Sequence, residues 1–122
     1  MTSERGPYTI FRRALERRSL VGVRTAVVNL PAPPPLEDAL VICLLLLDQE
    51  PDRYQRGAVR WIGRLLLEQP GVSLRHAELA AAYLAALPDP ARREAATAAL
   101  GELGRAVGLR RLGERIAGLG DR

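Results

Sequence analysis

One apolar run constrains this chain more than any other feature. Ala39-Leu40-Val41-Ile42-Cys43-Leu44-Leu45-Leu46-Leu47 sets nine apolar residues in succession. Wound as a helix, the run is apolar on every side, and such a helix is stable in water only as a central, covered one. It is too short to cross a bilayer, which takes roughly 20 apolar residues. The rest of the chain must supply the cover. With 122 residues in all, one domain over 1–122 is expected, with flexible ends at 1–6 and 118–122.

Composition says what that cover is made of. Aromatics are only 4% of the chain, and the apolar weight falls on Leu and Ala. Those two residues enter helices at little cost, whereas strands favour β-branched and aromatic side chains. Pro and Gly then mark the element ends. Helix 1 is predicted over 7–18, with Tyr8, Phe11 and Leu15 recurring three and four apart. Ser19 caps a second helix, with Leu20, Val23, Val27 and Leu30 as its stripe and Pro31 as its end. Val21, Val23, Val27 and Val28 also suit a strand, but no partner strand is visible to complete a sheet.

Ala32-Pro33-Pro34-Pro35 is a stiff, extended connector. Helix 3 follows over 36–49, with Glu37 and Asp38 in its first turn, where they suit the helix dipole. Further helices are predicted over 52–69, 73–87, 90–107 and 109–117. Unit ends at Pro31, Pro70 and Gly108 lie 39 and 38 residues apart, with one break inside each unit. The expected architecture is all-α: six to seven helices as three successive hairpins, with helix 3 central. The hairpins either stack as a repeat or close into a bundle. The expected core comprises Leu15, Val27, Leu40, Cys43, Leu44, Leu47, Ala58, Trp61, Ile62, Leu65, Leu84 and Leu100. Tyr8, Phe11 and Trp61 all read as core-directed.

The spacing resembles tetratricopeptide and HEAT architectures, without the tetratricopeptide consensus residues. Phe11-Arg12-Arg13-Ala14-Leu15-Glu16-Arg17, Leu36-Glu37-Asp38-Ala39-Leu40 and Ala58-Val59-Arg60-Trp61 also resemble small, Arg- and Ala-rich uncharacterised bacterial proteins of the actinobacteria. That resemblance implies no activity.

No catalytic, metal or cofactor constellation is expected. The single histidine, His76, and the single cysteine, Cys43, fall on different helices, and Cys43 reads as a small buried hydrophobe. One cysteine permits no internal disulfide, and a reducing cytoplasm is the natural compartment. No secretory leader is read at Met1 to Pro7. The carboxylates Glu37/Asp38 and Asp48, Glu50 and Asp52 read as helix-end residues, without a calcium-loop pattern. The glycines near the C-terminus match neither a phosphate loop nor a dinucleotide fingerprint.

Arginine is the remaining signal. The chain carries 18 Arg and no Lys, for a net charge of +4. Arg53, Arg56, Arg60 and Arg64 project from one side of helix 4, opposite Tyr54, Ala58, Trp61, Ile62 and Leu65. Arg12, Arg13, Arg17 and Arg18 form a second group, and Arg110, Arg111 and Arg115 a third. Guanidinium groups suit phosphates and carboxylates alike, and a solvated surface is the plainer reading. The leading expectation is a small non-enzymatic helical protein–protein interaction module. The candidate contacts are Arg53, Arg56, Arg60, Arg64, Arg12, Arg13 and Arg17. The alternative is a nucleic-acid-binding protein using the same arginine faces. Basic ends flanking an acidic middle also permit a homo-oligomer, and no membrane contact is expected.

Overall fold

The computed structural model describes residues 6–120, and side chains as far as Ala117. The ends expected to be loose lie largely outside the described residues. Among those residues every regular element is helical: α1 (Pro7–Glu16), α2 (Leu20–Val28), α3 (Leu36–Gln49), α4 (Tyr54–Glu68), α5 (Leu74–Ala86), α6 (Pro90–Ala106) and α7 (Leu112–Gly120). The chain divides into two compact units at the proline connector, 1–35 and 36–122.

The first unit is the hairpin of α1 and α2. Pro7 occupies the first turn of α1, where its missing N–H is no loss. Arg18 takes a left-handed φ of 58°, which ends α1 two residues earlier than predicted. In that conformation the Arg18 and Ser19 N–H groups donate to Leu15 O and Ala14 O at 2.9 and 3.1 Å. This turn satisfies the last carbonyls of α1. Ser19 then caps α2, its Oγ accepting from Gly22 N–H at 3.0 Å. Phe11, Leu15, Leu20 and Val23 are buried. Tyr8 is exposed, contrary to expectation: its ring tilts against Phe11 at 5.9 Å and lies beneath the Arg12 guanidinium at 5.8 Å. An amphipathic ring can rest at the edge with its hydroxyl in water.

The second unit holds the other five helices. Successive helices pack on each other, and α7 returns to pack on α3, so the unit closes on itself. Both arrangements left open by the hairpin spacing, a repeat-like stack and a compact bundle, are compatible with these contacts. α3 carries the apolar run. Leu40, Val41, Cys43 and Leu45 are buried, while Ile42, Leu44, Leu46 and Leu47 are half-buried. Two helices packed on α3 shield part of its circumference more fully than the remainder. Of the expected core, Val27, Leu44, Leu47 and Ile62 are only half-buried, and the other eight residues are buried.

Polar anchors fix this arrangement. Trp61 Nε1–H donates to Leu36 O at 2.8 Å, tying α4 to the start of α3. Tyr54 O–H donates to Leu84 O at 2.6 Å. Leu84 needs that donor, because the residue four places on is Pro88, which has no N–H. The predicted start of helix 4 is a short 3-10 turn, Pro51–Arg53, ahead of α4. The predicted helix at 109 starts instead at Leu112, because Gly108 turns left-handed at φ 92° and Leu109 N–H closes back on Gly104 O at 2.7 Å. α6 and α7 then cross at Gly101 and Gly113, where a Cβ on Gly101 would stand 3.1 Å from the Gly113 Cα.

Candidate functional site

The candidate site grows from α4. Its 15 residues alternate apolar and polar at helical spacing, which buries Tyr54, Ala58, Trp61 and Leu65 on one side. Gln69 ends it, and Gly71 turns the chain away with φ 81°. The four stripe arginines do point away from the core, but they differ among themselves. Arg53 faces Glu50 at 3.5 Å, largely in solvent. Arg64 is half-buried and grips Glu68 with two hydrogen bonds, at 2.7 and 2.9 Å. The hydrogen bonding from Arg64, with its charge in support, holds the Glu68 carboxyl below the usual carboxylate range. Arg56 and Arg60 are exposed and carry no ion pair among the described residues.

Beside those two arginines the surface is apolar. Val59 is 63% exposed, Leu66 45% and Leu67 88%. At about 100° per residue, Val59, Gly63, Leu66 and Leu67 share about 120° of arc with Arg56 and Arg60. Gly63 sits in the middle of this arc, and a Cβ built on it would meet nothing within 4 Å. The outward face of α4 is thus a short apolar stripe with bare backbone at its centre and two unpaired guanidinium groups beside it. Sequence reading located the arginines and missed Val59, Leu66 and Leu67. The signal was present: the same projection that groups the arginines also puts these three outside the buried stripe.

The other arginine groups are placed differently. Arg12 is half-buried and donates to Tyr8 Oη at 3.4 Å, while Arg13 and Arg17 are exposed. These three belong to the first unit and the α4 stripe to the second. Arg110 and Arg111 are exposed before α7, but Arg115 turns inward and closes on Asp38 Oδ1. Asp38 is fully buried, so its place in the first turn of α3 serves more than the helix dipole. It ties α3 to α7.

The residues with catalytic side chains have local roles. Cys43 is buried, and burial pushes its thiol up to about 12. His76 completes the cap of α5: its backbone N–H donates to Ser73 Oγ at 3.2 Å, and its Nδ1 accepts from Ser73 N–H at 3.0 Å. Among the described residues no group of His, Cys, Asp and Glu is arranged to hold a metal ion. No described helix is long and apolar enough to cross a membrane. A groove of about 750 Å³ lies along α6 and α7, floored by Ala98, Gly101 and Gly113 and rimmed by Arg105, Arg110 and Glu114. Arg105 is already paired with Glu102 at 2.8 Å.

In comparisons with known proteins, no family model, curated protein or solved structure matches this chain.

Proposed function

We propose that this chain is a small, non-enzymatic helical module that docks another protein on the outward face of α4. One observation carries the reading: Val59, Leu66 and Leu67 stand exposed around Gly63, above which no side chain stands, beside Arg56 and Arg60, which no acidic side chain among the described residues neutralises. Scattered exposed apolar residues are ordinary. Three on one helical stripe, around a glycine with open space above it, form a surface that a partner helix covers well. The buried thiol of Cys43 and the capping role of His76 support the non-enzymatic part. A reducing cytoplasm suits a lone buried thiol. Nucleic acid fits the face less well. Glu50 and Glu68 already hold two of the four arginines, and phosphate gives Leu67 nothing to bury against.

The test is a photoreactive amino acid in place of Leu67, introduced in living cells, with exposed Ala95 on α6 as the comparison position. A discrete protein adduct from position 67, and none from 95, is expected. Absence of any adduct at 67 would remove the docking reading. Labelled DNA and RNA, followed by fluorescence anisotropy at low and near-physiological salt, should bind weakly. Tight binding with a log–log salt slope of several units would reassign the face to phosphate.

A further inference from the structure

Resting on that docking reading, we infer that the occupant of the α4 face is a second copy of this chain, with the two α4 helices antiparallel and centred on Gly63. The face is self-complementary about that residue. Val59 and Leu67 stand four positions to either side of Gly63, and Arg60 and Leu66 three. In an isologous pair, a residue before the centre meets the matching residue after it, and the contact occurs twice. Val59 then covers Leu67 of the second copy, and Leu67 is covered in turn by Val59 of the second copy. The aliphatic stem of Arg60 lies along Leu66 of the second copy while its head stays in water.

Charge selects the antiparallel sense. Arg56 and Arg60 lie in the first half of α4, whereas Glu68 and the negative end of the helix dipole lie at its close. Antiparallel pairing brings each Arg56 beside the C-terminal carbonyls of the other α4. A parallel pair would set like charges side by side. Gly63 supplies the close approach, since helix separation is governed by the side chains at the crossing. Among the described residues nothing stands within 4 Å of where its side chain would begin. Gly57 differs, because a Cβ there would stand 3.0 Å from Leu46 Cδ1. One helix face buries less than the ~800 Å² per partner of a standard stable interface, so the association is weak and reversible.

Cysteine cross-linking reads the register. A disulfide requires Cα atoms within about 7 Å. In the proposed pair the two copies of residue 63 meet at the two-fold axis. The two copies of residue 67 are offset by eight positions, about 12 Å along the helix. Under mild oxidation with copper–phenanthroline, Gly63→Cys should form a covalent dimer. A mixture of Val59→Cys and Leu67→Cys chains should form the mixed dimer. Leu67→Cys alone and the natural chain, with Cys43 buried, should stay monomeric on a denaturing gel. Sedimentation equilibrium of the natural chain should show reversible dimerisation. Leu67→Asp should weaken it at least tenfold with the helical circular dichroism unchanged, and Val28→Asp on α2 should leave it unaltered. A natural chain that stays monomeric at every concentration would overturn the inference, as would Leu67→Cys linking as readily as Gly63→Cys. If the photoreactive residue at 67 then captures a different protein, the docking reading stands and only the second copy falls. If it captures nothing, both fall. Should Leu67→Asp fail to fold, the Gly63→Cys result still decides the register.

Discussion

Cys43 and Tyr54 are set by their surroundings rather than by their own chemistry. Burial raises the Cys43 thiol from an ordinary value near 9 to about 12. Burial also raises the Tyr54 hydroxyl, and the nearby Cys43 acts in the same direction. Both groups are favoured in their neutral forms when folded. The stability they represent is whole below about 9 and is lost as pH rises through about 12. Melting temperatures should therefore fall steadily above pH 9, and a thiol-exchange reagent should react with Cys43 at neutral pH only as fast as the protein opens. Immediate reaction of the native protein would show that the thiol is reachable. Caps belong to this scale too. Ser19 was legible as a cap because it acts on an N–H three residues away, and Ser73 and Asp89 act in the same way on His76 and Ala91. The return bond from His76 was not legible, since Glu or Gln usually fills that position.

At the scale of the element, α4 carries a glycine where alanine would serve the helix better. Gly in an exposed helix interior costs about 1 kcal/mol relative to Ala. The space above Gly63 is open, so Gly63→Ala should raise stability by about 0.5–1 kcal/mol in urea denaturation. A loss of stability instead would mean that an intramolecular contact depends on this position. The bounds of α4 were legible from Pro51, Pro70 and the apolar period. The mixed character of its outer face was not, because four arginines at matching spacing drew the reading and the exposure of Val59 and Leu67 depends on what stands nearby.

At the scale of the molecule, closure of the second unit rests partly on one buried ion pair. Asp38 and Arg115 join α3 to α7, and the carboxylate is fully buried. Removing Arg115 leaves the buried Asp38 carboxylate without its counter-charge, whereas Arg115 itself is 21% exposed and water reaches it. Arg115→Met should therefore destabilise by about 3–5 kcal/mol. Replacing both, as Asp38→Leu with Arg115→Met, should recover much of that loss, because two apolar side chains need no solvation. Chemical denaturation of the four chains in the double-mutant cycle measures the coupling. Additive losses would show that the pair does not act as a unit.

Local chemistry decided the helices, their caps and most of their ends, because helical hydrogen bonds and capping contacts span only a few residues. The same rules placed the apolar run of α3 against other helices, where Leu40, Val41, Cys43 and Leu45 are buried and the rest half-buried. They also read Ala58, Trp61 and Leu65 correctly as core. Contacts between distant segments decided the rest. They drew Asp38 inside and Arg115 with it, left Tyr8 at the edge, and gave Arg64 a partner while leaving Arg56 and Arg60 without an ion pair among the described residues. A charge or an apolar side chain has the same periodicity whether it is covered or bare. Only the packing of other helices distinguishes the two, and on the outward face of α4 that packing leaves Val59 and Leu67 exposed and the space above Gly63 open.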